Sequence, residues 1–187
     1  MLIKVNQRYI REAIMHVPSP TEYLDSQSIN YELVPHATSF TAQETAQKTH
    51  IKGNTLSKVV VVGDQNKLAL VVIPANCILL QRSLARVLRS PGLNIVPEYQ
   101  FRDRFPECEI GAMPPFGNLY GMDVFIAKEL VQRDTVTFNG GTHNVLIKME
   151  TTDFIKVTNA RVITVGYKVA GLAQPIISRR KDDWHWA

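Results

Sequence analysis

A chain of 187 residues, 45% of them hydrophobic, is long enough to bury one substantial core, and nothing in its length requires more than a single domain, residues 1–187. A formal net charge of +4 suits an anionic partner but falls short of the basic tails of obligate nucleic-acid binders. The two cysteines lack CxxC spacing and the five histidines lack HxxxH or HExxH spacing, which argues against a zinc ribbon, a thioredoxin-type centre or a metalloprotease helix; no metal and no cofactor are expected.

The first stretch, MLIKVNQRYIREAIMHVP, carries Glu12 and has no apolar core of signal-peptide length. No later run reaches the roughly 18 apolar residues of a membrane span, so the expected location is the cytoplasm. Ser19-Pro20-Thr21-Glu22 is a capping box with proline at the first helical position, and a helix should start there. YELVPH then reads as a short strand ending in His36. A second box, Thr41-Ala42-Gln43-Glu44, opens a helix that Gly53 should close. SKVVVVGDQNKLALVVI gives two β-branched runs around a turn at residues 63–66, a hairpin too continuously apolar for an exposed sheet.

LLQRSLARVLRSPG returns to helical spacing, with Leu80, Leu84, Val87 and Leu88 on one side and Pro91-Gly92 as the stop. Arg82, Arg86 and Arg89 follow i, i+4, i+7 spacing and share a stripe about 60° wide opposite the leucines. That stripe is either an ordinary solvated face or a contact for RNA phosphates. Strands are expected at DVFIA, TVTFN, HNVLIKM and RVITVGY, with a short helix over 152–157. Helices and strands mix without regular βαβ alternation, which favours an α+β fold with a mixed, curved sheet or distorted barrel flanked by helices. No GxGxxG or GxxxxGK[ST] sequence is present, so dinucleotide and P-loop chemistry are not expected.

Three places could carry chemistry. GAMPPFGNLYG, residues 111–121, combines three glycines with Pro114-Pro115 and contains no obvious nucleophile. Two fixed φ angles make such a loop stiff, either as a tight turn or as a preorganised rim whose amides near Gly117 meet a ligand oxygen. Lys58 begins a run of four valines. It either snorkels to water at the strand end or faces a cleft where its ammonium binds an anion. His143 leaves the glycine turn FNGGT at a strand start, and His36 ends a strand; each is either structural or part of a site.

From Tyr23 to about Val157 these pieces stand in a known order. YLDSQSINYELVPH, TAQETAQ, the lysine of SKVVVV, LALVVIPAN, FPECEIGAMPPFGNLYG and FNGGTHNVLI together resemble the YbaK family, also called the prolyl-tRNA synthetase-associated domain. The resemblance implies a distorted barrel of mixed strands flanked by helices. It also implies an activity, hydrolysis of the ester that joins a wrong amino acid to tRNA. With no synthetase attached, the chain would act in trans on aminoacyl-tRNA charged by a synthetase acting upstream; no membrane and no DNA partner are implied.

The resemblance also implies roles. Gly111, Pro114, Pro115, Phe116 and Gly117 would line the aminoacyl pocket, with backbone amides at the ester carbonyl. Lys58 matches the family's signature polar residue and would hold the acceptor-end phosphate or stabilise developing charge. His143 matches a histidine at the pocket edge, and His36 and Thr41, in two matching stretches, would border the substrate. Two positions depart from the pattern. Val59 follows the lysine where relatives that remove alanine from proline tRNA have asparagine, and Ala127 ends a strand that often ends in aspartate.

Two other readings compete. TAQETAQKTHIKGNTLSKV loosely resembles a helix-turn-helix of a DNA-binding regulator, but its second helix would run into VVVV, whose β-branched residues prefer a strand. The other keeps the fold as a non-catalytic binder of tRNA ends or amino acids. Residues 1–18 and 165–187 lie outside the resemblance, and RRKDDWHWA reads as a tail.

Overall fold

A computed structural model of the protein describes residues 17–64 and 67–171; the amino-terminal stretch and the RRKDDWHWA tail lie outside the described residues. The first helix, α1 (Pro20–Ser26), starts with the full capping box: Glu22 N–H donates to Ser19 Oγ at 3.3 Å and Ser19 N–H to Glu22 Oε2 at 2.8 Å. Strand β1 (Tyr31–Pro35) and helix α2 (Ala42–Thr49) follow. Thr41 Oγ1 caps α2 by accepting the Glu44 N–H at 3.1 Å, while Glu44 Oε2 takes the Phe40 N–H at 3.1 Å. The helix closes at His50 in a left-handed conformation (φ 54°), three residues before the expected stop at Gly53.

The valine-rich hairpin forms as strands β2 (Ser57–Gly63) and β3 (Leu68–Pro74), antiparallel with Lys58 opposite Ile73. Short β4 (Cys77–Leu79), helix α3 (Gln81–Val87) and β5 (Asn94–Ile95) come next. After the glycine and proline loop and a 3-10 turn at Gly117–Tyr120 come β6 (Asp123–Ala127), α4 (Lys128–Val131), β7 (Thr135–Asn139) and β8 (Val145–Glu150). Helix α5 (Thr151–Thr158) leads to β9 (Arg161–Ile163) and β10 (Tyr167–Val169).

The order β5-β2-β3-β6-β9 makes a mixed five-stranded sheet, with β3–β6 and β6–β9 parallel. β1-β8-β7 is a three-stranded antiparallel sheet, and β4 pairs with β10. The two larger sheets meet where Leu56 bridges Thr137 and Ser57 Oγ donates to the Thr137 carbonyl at 2.9 Å. The result is the expected α+β class: one mixed and two antiparallel sheets together with helices, none of the sheets closed into a full barrel. None of the helices among the described residues is long and apolar enough to cross a membrane.

Burial on both faces explains the unbroken valines. The Val61/Leu70 pair packs with Phe101, Phe105, Met113 and Met122, while the adjacent Val60/Val71 and Val62/Ala69 pairs face the main core with Phe116, Phe138 and Phe154. Each such side chain contributes about 1.5–3 kcal/mol on full burial.

Three expectations need correction. Helix α3 ends at Val87, and Arg89 already has φ 52°, so the chain leaves the helix before Pro91. Val87, placed on the apolar side, is 45% exposed. RVITVGY is two strands, because Gly166 at φ 99° turns the chain beside Leu84 and its carbonyl accepts the Leu80 N–H at 2.6 Å.

Candidate active site

The start of β2, the N-terminal end of α2, the first part of the glycine and proline loop and the turn after β7 converge on a cleft of about 180 Å³. Lys58 and Val59 line it from the strand, Ser39, Phe40 and Thr41 from the helix entry, Gly111 and Met113 from the loop, and Asn139 and His143 from the turn. Lys58, Thr41, Gly111 and His143, far apart in sequence, therefore share one cavity.

Lys58 is half-buried, and burial holds its amino group below the ordinary lysine range. No carboxylate among the described residues forms an ion pair with it. A fixed, partly desolvated cation in a small cleft attracts an anion or a developing oxyanion more strongly than one in open water.

His143 is held on three sides. Its N–H donates to Glu109 Oε2 at 2.6 Å, Nδ1 lies 3.1 Å from the Ser39 carbonyl and Nε2 lies 2.7 Å from the Ile110 carbonyl. Both ring nitrogens face backbone carbonyls, and a neutral ring, with a single N–H, donates to one of them, so the imidazole sits between the helix entry and the loop. The ring stands in the wall of the cleft. Gly111, at φ 86°, packs against this ring: an added Cβ would stand 3.4 Å from His143 Cε1. Among the described residues the Gly111 N–H has no acceptor.

The rest of the loop serves differently. Pro114, Pro115, Phe116 and Gly117 are buried and do not line the cleft. Phe116 sits edge-on to Tyr23 and Phe138, each 5.5 Å away between ring centres. A Cβ on Gly117 would come within 2.9 Å of the Met122 carbonyl oxygen and of Val124 Cγ2. The loop's stiff half anchors in the core, while Gly111 and Met113 before it reach the cavity. His36 is also set back: Nδ1 lies 2.9 Å from the Ala37 carbonyl and 3.4 Å from Ser39 Oγ, and it touches the cleft only through Ser39.

Arg82, Arg86 and Arg89 are exposed and lie outside the cleft. The first two stand on α3 and the third beyond its end, so the helical stripe is shorter than its spacing suggested. Val59, one of the two departures, borders the cleft; Ala127, the other, is fully buried. Sequence reading missed Ser39, Phe40 and Asn139, which the fold alone brings to the cavity.

The family model for the aminoacyl-tRNA editing domain matches residues 36–157. No curated protein sequence matches the chain. Among solved structures, one described as a hypothetical protein is 20% identical with a TM-score of 0.70, covering 78% of this chain and 97% of its own. Another, described as a candidate trans-editing enzyme for prolyl tRNA synthetase, is also 20% identical with a TM-score of 0.69, covering 78% of this chain and 93% of its own. Both likenesses are likenesses of fold.

Proposed function

The chain belongs to the aminoacyl-tRNA editing domain family, and from that premise we propose that it is a deacylase that hydrolyses the ester of mischarged tRNA, with proline tRNA carrying a small wrong amino acid as the first substrate to test. The observation that carries this reading is Lys58, half-buried and without a carboxylate partner among the described residues, in a cleft bordered by the unengaged Gly111 amide. An aminoacyl ester is already activated, so the task is to place a water and stabilise an oxyanion. One fixed donor contributes about 2.7–4 kcal/mol to such a step. Lys58 and the Gly111 N–H supply two donors, and a ribose hydroxyl of the terminal adenosine helps position the water, so no nucleophile is required from the protein.

The cleft's size supports a sieve for small side chains. Its 180 Å³ is well below the roughly 300–1,000 Å³ of common ligand pockets. A synthetase separates small apolar side chains by only about 1–3 kcal/mol, which leaves errors for a second site to remove. Val59 puts a methyl-bearing wall where alanine-removing relatives carry asparagine, so substrate choice is decided at that wall. A panel of alanyl, cysteinyl and seryl esters on proline tRNA tests the reading. Faster release of at least one amino acid than in buffer supports it; binding without hydrolysis of any ester would favour the non-catalytic module.

His143→Ala should be milder than loss of Lys58. The ring acts through the positions of Ser39 and Ile110, so kcat/KM on the best ester should fall about tenfold, with a small drop in melting temperature. Unchanged kinetics across the panel would remove His143 from the site.

The exposed arginines are proposed as phosphate contacts. Changing Arg82, Arg86 and Arg89 together to glutamine should weaken tRNA binding and flatten its salt dependence by about 0.7–0.9 log units per lost contact. Amino-acid selectivity should stay the same, because phosphate contacts position the substrate without reading the side chain. An unaltered salt slope for deacylation at limiting tRNA would return these residues to an ordinary solvated face.

A further inference from the structure

We propose that Phe40 is a stacking platform at the cleft mouth for the terminal nucleobase of the RNA; this rests on the editing reading above. Two aromatic rings among the described residues are more than two-thirds exposed, Phe40 at 71% and Tyr99 at 69%, and of these only Phe40 borders the cleft that holds Lys58. A single exposed apolar side chain is ordinary on a protein surface; Phe40 is set apart by its place on the cleft that holds Lys58 and by its ring contact with His143.

The ring is also preorganised. Phe40 N–H donates to Glu44 Oε2 at 3.1 Å, and the preceding Ser39 N–H donates to the His143 carbonyl at 3.0 Å. Ser39 Oγ is 2.8 Å from Thr45 Oγ1, and Thr41 on the other side caps α2. The Phe40 ring rests against the His143 imidazole, with centres 4.8 Å apart at 57°. Ile110, whose carbonyl meets His143 Nε2, adds a second exposed apolar group at 55%. The backbone on both sides of Phe40 is therefore pinned, and ring contact with His143 limits its rotation.

The chemistry that fits is a flat, unpaired nucleobase. Single-stranded RNA ends are recognised by stacking unpaired bases on aromatic side chains, and every base offers a π-face. In an aminoacyl-tRNA the base nearest the ester is the terminal adenine, joined through the ribose that carries the amino acid. With the ester between Lys58 and Gly111, that adenine leaves the cleft at its mouth, where Phe40 stands. Stacking there would position the reacting ester without touching it, which makes Phe40 a positioning residue.

The test uses the full chain and a short RNA ending in CCA, with a matched RNA whose last nucleotide lacks its base. Wild type should bind the intact RNA roughly 5- to 150-fold more tightly than Phe40→Ala does, the equivalent of one base on an aromatic ring. Phe40→Tyr and Phe40→Trp should keep most of that affinity and Phe40→Leu should not. On the abasic RNA, wild type and Phe40→Ala should bind alike. The kcat/KM on mischarged tRNA should fall by the same factor as the affinity. Equal affinity of wild type and Phe40→Ala for the intact RNA, or an equal loss on the abasic RNA, would overturn the proposal. Base-dependent binding with no hydrolysis of any ester would uphold the stacking and contradict only the deacylase reading.

Discussion

Lys58→Ala should lower the deacylation rate by about 10²–10³-fold, the loss expected when one fixed donor to an oxyanion is removed. The fold should survive, because Lys58 has no ion-pair partner among the described residues and stands between Ser57 and Val59 on its strand, opposite Ile73. Stability should even rise slightly. Burial lowers the pKa of Lys58 in the folded state, so the unfolded chain holds this proton more tightly and protonation opposes folding. That cost is present in full below the folded-state pKa and is relieved as pH rises towards the ordinary lysine value of about 10.4. Lys58→Met should therefore resist urea at least as well as wild type at pH 7, with the difference shrinking as pH approaches 10. The same shift predicts that enzyme-dependent hydrolysis, corrected for the spontaneous reaction, falls at a pH below the usual lysine range as the ammonium is lost. Near wild-type turnover of Lys58→Ala on the best ester would remove the lysine from the chemistry.

Gly117→Ala should damage the protein by a different route. The new methyl would stand 2.9 Å from the Met122 carbonyl oxygen and Val124 Cγ2 and 3.3 Å from Leu70 Cδ1. The first of these is backbone, and the second belongs to a strand packed on both sides, so neither can move cheaply. Overpacking of this kind costs about 1–3 kcal/mol. The variant should melt several degrees lower, and activity per folded molecule should fall less than in Lys58→Ala, because Gly117 does not line the cleft. A wild-type melting temperature with abolished turnover would instead place the Gly117 amide in the reaction.

Much of this arrangement is legible in the residues. VVVV and LALVVI could only be central strands, since alternation is absent where both faces are covered, and DVFIA and TVTFN stand where their β-branched residues require. The family order of short motifs brought Lys58, Thr41, Gly111 and His143 onto one list, and the fold brings them into one cleft. What sequence could not show depends on distant contacts. The parallel pairing of β3 with β6 joins segments separated by a helix and a long loop. Gly111 and Gly117 look equivalent within GAMPPFG, yet one meets the cleft and the other meets Val124, a difference set by the sheet beneath. Phe40 gave no signal because exposure is a tertiary property: beside a capping threonine, a phenylalanine reads as a residue about to be buried.

The most direct measurement of the central claim is single-turnover release of alanine, cysteine and serine from proline tRNA by wild type and by Lys58→Met, with both proteins confirmed as folded by their melting curves. The account predicts that wild type releases at least one of these amino acids well above the spontaneous rate and that the Lys58→Met variant loses about 10²–10³-fold of that acceleration. Spontaneous rates for all three esters with wild type, or equal release by both proteins, would contradict it.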